Sequence, residues 1–382
     1  MNIGTDPIAT TDDASIATTT APTTTTTTSS TGVTEPLRAP AVDGSARSVP
    51  DLPATMTAVT QRDYGSTEVL AVEQVALPGV GDQEVLIEVV AAGLDRGVWH
   101  LMTGLPYLVR LAGYGLRRPK QPIPGMDVAG RVVAVGAGVK RFAVGDAVMG
   151  LASGSFAEYA VADEDTLAFK PSNIGFEEAA VSTTSGITAL QALTTVGRVE
   201  AGQRVLVIGA SGGVGSFAVQ IAKSLGAVVT GVASGSKLDF VTSLGADDVI
   251  DYQTTPVQAI SDRFDLIVDI GGRTAVRTLR RLLVDRGTLV IVGGEDGGKL
   301  TGGIGRNLRA VMMSPVVEQR LTFFISSATR EYIDPLVEML AAGDVVAAIG
   351  QRSPLVDTAA AIRAIEAGTA QGKTVISVRN DG

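Results

Sequence analysis

The fold of this chain is decided by one stretch, Arg204-Val-Leu-Val-Ile-Gly-Ala-Ser-Gly-Gly-Val-Gly-Ser-Phe-Ala-Val-Gln-Ile-Ala-Lys-Ser-Leu-Gly226. Its first part, Val205 to Ile208, is an apolar run of mostly β-branched residues, which predicts a strand buried on both faces. From Val214 onward the apolar residues recur at a helical period, and Gly226 stands where a helix C-cap belongs. The stretch therefore predicts a strand, a glycine turn and a helix.

The turn has the pattern Ala210-x-Gly212-x-x-Gly215, a close variant of the dinucleotide-binding fingerprint. Ala210 occupies the tight-turn position, Gly212 would admit a pyrophosphate to the backbone, and Gly215 would let the helix pack close to the strand. The helix N-terminus adds donors and a partial positive charge. The alternative is a glycine-rich β–α turn without a ligand. The cofactor-binding residues predicted in this turn are Ala210, Ser211, Gly212, Gly213, Val214 and Gly215.

The second strand, Val228–Val232, is followed by Ala233-Ser-Gly-Ser-Lys237. A dehydrogenase that prefers NAD would place an acidic residue here to hold the ribose hydroxyls. The first carboxylate is Asp239, inside the next predicted helix. The hydroxyl of Ser234 and the charge of Lys237 suit a 2′-phosphate, so NADP(H) is favoured over NAD(H). The serines could also be ordinary helix N-caps, and a serine can fill both roles.

Length and composition limit the possible classes of protein. The 382 residues exceed one ordinary core, so two domains are expected. The chain has no cysteine, which excludes disulfides, iron–sulfur clusters and thiolate zinc sites, and is compatible with the reducing cytoplasm where we expect the protein. The net charge is −9, of which −5 lies beyond residue 55, and this argues against nucleic acid or an anionic membrane as partner.

The chain divides into regions of different composition. Residues 1–55 are rich in Thr, Ser, Ala, Pro and Asp and predict a disordered tail. Short alternating strands follow over 56–178, with a helical cover predicted at Leu101–Leu116. From 179 to 329 strands alternate with helices, which predicts a doubly wound parallel sheet and an α/β fold. Residues 330–382 are predicted to return to the first domain.

Several motifs from Met56 onward occur in a fixed order. They include Tyr64-Gly-Ser-Thr-Glu-Val-Leu70, Pro124-Gly-Met-Asp-Val-Ala-Gly130, Gly154-Ser-Phe-Ala-Glu-Tyr159, Leu244-Gly-Ala-Asp247 and Gly372-Lys373. With the glycine turn, this order resembles the medium-chain dehydrogenase/reductase superfamily, specifically its zinc-free quinone oxidoreductase branch. The resemblance implies a GroES-like, mostly β catalytic domain (56–178, completed by 330–382), a Rossmann domain (179–329), and a cofactor between them.

Zinc-dependent members of this superfamily carry a Gly-His-Glu signature, which here reads Gly125-Met126-Asp127. Met126 is no zinc ligand, and a chain with no cysteine and one histidine cannot assemble the usual three-ligand site. We therefore expect no metal. The resemblance then implies hydride transfer from NADPH to an acceptor that is already electrophilic, a quinone or an α,β-unsaturated carbonyl.

The resemblance also implies cofactor contacts outside the glycine turn. It places Thr188 near the nicotinamide, with Gly293 and Gly294 beneath the nicotinamide end. It surrounds the 2′-phosphate with Ser234, Lys237 and Tyr252. Lys373 is a candidate for the cofactor cleft, or else a surface lysine before the last strand. The cofactor-binding residues added in this way are Thr188, Ser234, Lys237, Tyr252, Gly271, Gly293, Gly294 and Lys373.

The candidate catalytic residues are His100, Asp95 and Tyr64. The chain departs from the family here, because Asp95 replaces the asparagine and Arg96 the proline of a common Asn-Pro-x-Asp motif. His100 is the only histidine and is a candidate proton donor, although a lone histidine is more often structural. Asp95 and Arg96 could instead form a simple exposed ion pair.

Three functions remain open on these grounds. The first is an NADPH-dependent quinone or enone reductase. The second is an enoyl-thioester reductase, which would need a longer cleft and a basic site for a carrier phosphate. The third is a non-catalytic NADPH-binding structural or regulatory protein. The apolar segment Leu321–Ile325 ends the predicted sheet and predicts a homodimer, unless a loop covers this edge.

Overall fold

The structure is a computed structural model that describes residues 52–294 and 298–379. Most of the predicted tail, residues 1–51, lies outside the described residues. Its last residues are described: Leu52 packs against a core that includes Met56, and the first strand begins at Thr55. Packing therefore extends at least four residues before the predicted boundary at Met56, because the apolar side chain of Leu52 is partly buried against this core.

The N-terminal part consists mainly of strands. They are β1 (Thr55–Gln61), β2 (Leu70–Ala76), β3 (Glu84–Leu94), β4 (Asp127–Val135), β5 (Ala147–Leu151), β6 (Tyr159–Asp163) and β7 (Leu167–Phe169). Its helices are α1 (Arg96–Thr103) and α2 (Phe176–Ala180), with a π-helical turn at Arg110–Tyr114. The helical cover predicted at Leu101–Leu116 is therefore only partly present. Helix α1 ends because Gly104 adopts a left-handed conformation with φ 62°.

The central part alternates strands and helices. Its elements are α3 (Thr183–Gln191), β8 (Arg204–Ile208), α4 (Gly213–Ser224), β9 (Val228–Ala233), α5 (Leu238–Ser243), β10 (Asp248–Asp251), β11 (Phe264–Asp269), α6 (Val276–Arg281), β12 (Leu283–Ile291), α7 (Ile304–Met313) and β13 (Arg320–Phe323). Six parallel strands form one sheet in the order β10-β9-β8-β11-β12-β13. This is the doubly wound order of dinucleotide-binding folds, with its switch point between β8 and β11.

The C-terminal part completes the first sheet. Its elements are α8 (Arg330–Ala342), β14 (Ile349–Pro354), α9 (Thr358–Glu366) and β15 (Lys373–Ser377). Strand β15 pairs antiparallel with β3, and β14 adds parallel to β15, giving the order β14-β15-β3-β4-β5-β7 with β6 also paired to β3. Strands β14 and β15 thus belong to the same sheet as β3.

One apolar core joins the two large sheets. It contains Ala91 of β3 and Met149 of β5 together with Val205 of β8 and Phe217 of α4. Phe217 is fully buried, and burying such a side chain contributes roughly 1.5–3 kcal/mol. The cleft described below is therefore bounded by elements that pack on one core. Within the described ranges, no helix combines the length and apolar composition needed to cross a bilayer.

Candidate active site

A cleft of about 1040 Å³ opens at the carboxyl edge of the parallel sheet. One wall is formed by the glycine turn after β8. The opposite wall is formed by Leu94, Asp95 and Arg96 at the end of β3 and by the segment from Ile365 to Thr374. The cleft therefore lies at the topological switch point, where ligands bind in open parallel sheets.

The tight turn after β8 is made by Gly209, and the prediction that Ala210 fills this position is wrong. Gly209 has φ 88°, a conformation that favours glycine, whereas Ala210 is fully buried and does not line the cleft. A Cβ at Gly215 would lie 2.1 Å from the Gly209 carbonyl oxygen. Gly215 therefore serves the close packing of helix on strand that the fingerprint predicts.

The open side of the turn faces the cleft. Gly212 is the N-cap of α4, and a Cβ there would meet only the Gly209 carbonyl oxygen, at 3.4 Å. The first N–H groups of α4, at Gly213 and Val214, have no partner within the helix. Ser211, Gly212, Gly213 and Val214 line the cleft as predicted. They form a concave backbone surface at a helix N-terminus, which suits an anion.

Polar side chains gather where β9 and β10 end. Ser234, Ser236, Lys237 and Tyr252 line this end of the cleft, and the Tyr252 N–H donates to the carbonyl of Ala233 at 3.1 Å. Pairing of β9 with β10 brings the two strand ends to the same edge. The predicted phosphate-binding residues are therefore brought together.

The ammonium group of Lys237 is already engaged. Its Nζ donates to the carbonyl of Ala370 at 2.7 Å and to that of Gly368 at 3.2 Å. Partial burial lowers the pKa of Lys237. Since lysine has three donors, one remains for a ligand. This link between the central sheet and the C-terminal segment was not foreseen from the sequence.

Lys373 belongs to a buried polar cluster, so the surface-lysine alternative is wrong. Its side chain is 1% exposed, and Nζ lies 2.9 Å from Ser185 Oγ and 3.9 Å from Asp127 Oδ2. Asp127, which is fully buried, accepts hydrogen bonds from the N–H and hydroxyl of Thr184. Burial raises the pKa of the Asp127 carboxyl to about 7; the Lys373 charge opposes this rise and the Asp95 charge adds to it.

This cluster lies against the first turn of α4. A Cβ at Gly213 would be 3.0 Å from Lys373 Cδ and 3.2 Å from Ser185 Oγ. Sequence reasoning missed Asp127 and Ser185 as site residues. The available signal was Asp127 itself, a charged residue directly before the apolar pair Val128–Ala129.

Three further predicted cofactor residues lie behind the cleft wall or beside it. Thr188 is nearly buried and donates its hydroxyl to the Thr184 carbonyl at 2.7 Å. A Cβ at Gly293 would lie 1.9 Å from the Ile270 carbonyl oxygen, so only glycine fits there. Gly294 packs similarly on Gly303. Gly271, another predicted cofactor residue, lines the cleft.

The three candidate catalytic residues do not meet in one cavity. Asp95 lines the cleft and caps α1, accepting from the N–H groups of Gly97 and Val98 at 2.6 and 3.3 Å. Its other oxygen, Oδ2, is buried without a hydrogen-bond partner among the described residues. His100 Nδ1 lies 2.8 Å from the carbonyl oxygen of Leu105. His100 is absent from the walls of both cavities described here.

Tyr64 and Arg96 also have structural contacts. The Tyr64 hydroxyl donates toward the carbonyls of Tyr114 and Gly115, at 3.0 and 2.7 Å, and burial raises the pKa of Tyr64. Arg96 lies 4.7 Å over the ring of Trp99 and donates to the Ile365 carbonyl, so it is more than an exposed partner of Asp95.

A second cavity of about 370 Å³ lies within the N-terminal part. Its walls include Val98, Leu101, Ile123 and Met126, together with Tyr64. Helix α1 stands between the two cavities, because its N-terminal end faces the cleft and Val98 and Leu101 face the second cavity. An apolar ring or chain fits such walls.

The charges of the cleft favour a polyanion. Its walls carry Arg96, Lys237, Arg273 and Lys373 against the carboxylates of Asp95 and Glu366. An excess of cations in a concave site attracts phosphate groups. Within the described ranges, no three His, Cys, Asp or Glu residues are close enough together to hold a metal ion.

Comparison with known proteins agrees with this architecture. Residues 81–172 match the family model of the alcohol dehydrogenase GroES-like domain, and residues 244–376 match the model described as zinc-binding dehydrogenase. A 2-methylene-furan-3-one reductase of Solanum lycopersicum is 36% identical over 259 residues, covering 64% of this chain and 63% of that protein. This chain thus spans somewhat less than two thirds of that relative.

Two further similarities cover more of the chain. An NADPH-dependent alkenal/one oxidoreductase, chloroplastic, of Arabidopsis thaliana is 32% identical over 74% of this chain and 73% of its own length. The solved structure of the quinone oxidoreductase from Coxiella burnetii has a TM-score of 0.75 and 27% identity, covering 85% of this chain and all of that one. The sheet order, the glycine turn and these similarities together show that the chain belongs to the medium-chain dehydrogenase/reductase superfamily, in its quinone oxidoreductase-like branch.

Proposed function

We propose that the protein is an oxidoreductase that transfers a hydride from NADPH to a quinone or an α,β-unsaturated carbonyl. One observation carries this proposal: a single cleft contains the backbone cradle of Gly212 and α4 at one point and the serines and Lys237 at another. The names of the relatives, an alkenal/one oxidoreductase and a quinone oxidoreductase, support the same reaction class. NADPH, when bound, supplies the hydride.

The residues present fit NADP(H). The cradle at Gly212 leaves room for a diphosphate beside the N–H groups of Gly213 and Val214. Ser234, Lys237 and Tyr252 supply hydroxyls and a cation for the 2′-phosphate. No carboxylate intervenes between the end of β9 and Lys237. We therefore propose preference for NADPH over NADH.

The chain's own residues would orient the cofactor and the acceptor and would supply the proton that accompanies hydride transfer. Lys373, held by Ser185 and Asp127, would place a positive charge under the first turn of α4. The cavity behind α1 would receive the apolar acceptor. Of the three candidate catalytic residues, Asp95 is the one that lines the cleft, and its Oδ2 has no hydrogen-bond partner among the described residues. The roles of His100 and Tyr64 remain predictions.

A screen of NADPH consumption tests the reaction class. Purified full-length protein is assayed with a simple quinone, a free enone and the matching enoyl thioester. Turnover of the quinone or the free enone supports the proposal, whereas turnover of the thioester alone would indicate an enoyl-thioester reductase. NADPH binding without any turnover would indicate a non-catalytic protein.

Two matched variants connect the activity to the cleft. Gly212→Val fills the cradle without backbone strain, since Gly212 has an ordinary φ of −85°. We expect it to abolish NADPH binding while the melting temperature is kept. Gly79→Val is the control, because a Cβ at Gly79 meets nothing within 4 Å. Unchanged NADPH binding in Gly212→Val would refute this location of the cofactor.

The oligomeric state is a further proposal. Strand β13 is the last strand of the parallel sheet, and Ile325 just after it is 88% exposed. An apolar edge of this kind favours pairing across a two-fold axis, so we propose a homodimer. Light scattering should give twice the mass of one chain, and Ile325→Asp should give monomers. The equally apolar but distant Val356→Asp should leave the mass unchanged; if both variants behave alike, the proposed edge is wrong.

Three predictions from the sequence are carried forward as proposals. The Rossmann domain is proposed to comprise residues 179–329, and the catalytic domain residues 56–178 with 330–382. Amide hydrogen exchange tests this division: the amides of the two domains should fall into two groups of exchange rates, with the change at these boundaries. The chain is proposed to work without zinc, since Met126 replaces the metal-binding histidine. A cytoplasmic location is proposed from the absence of cysteine, and cell fractionation tests it.

A further inference from the structure

One surface, formed by a segment of the N-terminal part and a segment between β12 and α7, is rich in cations although the whole chain carries −9. Residues 105–120 contain Arg110, Arg117, Arg118 and Lys120 and no acidic residue. Residues 298–302 add Lys299, again without an acid. We call residues 105–120 and 298–302 the basic face. Glu295 and Asp296 precede the second segment and lie outside the described residues.

Hydrogen bonds join the two segments into one surface. The N–H of Tyr107 donates to the carbonyl of Lys299 at 2.8 Å, and that of Leu108 donates to Leu300 at 3.3 Å. A Cβ at Gly302 would lie 2.8 Å from Pro106 Cγ, so the backbones are in close contact. The two segments are therefore fixed to each other.

The tip of residues 105–120 is a closed loop. The N–H of Lys120 donates to the carbonyl of Tyr114 at 2.9 Å. The Tyr64 hydroxyl anchors the base of this loop through the Tyr114 and Gly115 carbonyls. Arg110 stacks on Tyr64 at 4.3 Å and on Tyr107 at 4.7 Å. These contacts fix the loop, and Leu116, Arg117, Arg118 and Lys120 are exposed on it.

Large apolar side chains are exposed among the cations. Leu300 is 71% exposed, Leu111 68% and Leu116 66%, and the rings of Tyr107 and Tyr114 are exposed to nearly half. Large apolar side chains that cluster on a protein surface usually mark a site of interaction. Leucine and tyrosine interspersed with Arg and Lys are typical of segments that lie in the headgroup region of a bilayer.

We propose that the basic face docks on an anionic lipid surface. Charge complementarity identifies this partner, because exposed cations without an intervening acid attract anionic headgroups. A lipid surface accepts protruding leucines and tyrosines without a shaped groove, and Leu111, Leu116 and Leu300 line neither of the two cavities described above. The negative charge of the whole chain argued against such a partner. Charges beyond about 8 Å are screened at physiological salt, so the local charge decides.

Docking would also bear on the substrate. Tyr114 and Pro119 belong to the loop and also line the 370 Å³ cavity assigned to the acceptor. If the proposed reductase function holds, the same loop would touch the lipid and wall the acceptor site. The acceptor class would then be a lipophilic quinone or enone taken from the bilayer rather than a water-soluble one.

Vesicle co-sedimentation of the full chain tests the surface without relying on activity. We expect binding to phosphatidylcholine mixed with phosphatidylglycerol, loss of binding at high salt, and little binding to phosphatidylcholine alone. The variant Arg117→Glu/Arg118→Glu/Lys120→Glu should lower the partition coefficient about a hundredfold or more, taking about fivefold per cation. Leu111→Ser/Leu116→Ser should weaken binding at unchanged charge.

The matched control carries the same change in charge elsewhere. Lys140→Glu/Arg277→Glu/Arg281→Glu alters three exposed cations outside the basic face. If this control loses binding equally, or if wild type ignores anionic vesicles, the proposed surface is wrong. If vesicles bind but do not raise turnover of a lipophilic quinone above that of a soluble one, the docking stands and the substrate class is wrong. Absence of all NADPH turnover would refute only the reductase function.

Discussion

The replacement Lys237→Ala separates two roles of one lysine. The side chain stands where β9 ends, beside Ser234 and Tyr252. Two of its three donors bind the carbonyls of Gly368 and Ala370, which leaves one donor and the positive charge for a 2′-phosphate. Removing the side chain therefore removes a phosphate contact and also a brace on the C-terminal segment.

The size of the effect follows from these contacts. A charge-assisted hydrogen bond contributes about 1.5–3 kcal/mol, which is about 10- to 150-fold in affinity. The lower part of this range is expected for Lys237, because its ammonium is partly exposed and already shares its charge with two carbonyls. We expect the Michaelis constant for NADPH to rise about 10- to 30-fold. The constant for NADH should change little, since NADH has no 2′-phosphate.

Initial rates with both cofactors, at saturating acceptor, measure this difference. Lys140→Ala is the control, since Lys140 is an exposed lysine outside the cleft walls. Lys237→Arg should retain the preference for NADPH. In the wild type the preference should decline at high pH, because burial lowers the pKa of Lys237, and the arginine variant should lack this decline. If Lys237→Ala weakens NADPH and NADH equally, the lysine acts only as a brace and the phosphate assignment is wrong.

Three other predictions address stability, metal and the N-terminus. Burial raises the pKa of the Asp127 carboxyl from 3.8 to about 7, so the folded state binds the carboxyl proton more tightly than the unfolded state does. As pH rises from 3.8 to about 7, this carboxyl therefore lowers the free energy of unfolding, by at most about 1.4 kcal/mol per pH unit. Asp127→Asn should flatten the dependence of melting temperature on pH there, and an unchanged slope would contradict the assignment. Purified protein should contain no stoichiometric zinc and should keep its activity in EDTA. Deleting residues 1–51 should leave activity and melting temperature unchanged, and a large loss of either would show that the tail is needed.

The parallel sheet could be predicted closely because its signals are local. The strand predicted within Arg204–Gly226 is β8, which runs over Arg204–Ile208, and its helix follows after Gly212. A buried parallel strand is a short apolar run, and the helix after it has a clear period. The motifs then identified the family, and the similarities to known proteins confirm it.

Predictions that depended on tertiary packing were less accurate. The pattern of the turn suggested Ala210 as the tight position, but the left-handed residue is Gly209, with φ 88°, and Ala210 is fully buried. Leu101–Leu116 was predicted as one helical cover. In the structure it is the end of α1, a loop and a π-helical turn, because its apolar side chains do not all face one core.

The C-terminal segment belongs to the cofactor site as much as to the first sheet. Lys373 at the start of β15 reaches Ser185 and Asp127 beneath the glycine turn, and the Gly372 N–H donates to the Ser211 carbonyl at 2.9 Å. Lys237 reaches the same segment from the other end of the cleft. Both regions that would hold phosphate groups are thus tied to one stretch of chain. Cofactor affinity should therefore respond to changes between β14 and β15 that touch no cofactor atom, because they move the partners of Lys237 and Lys373.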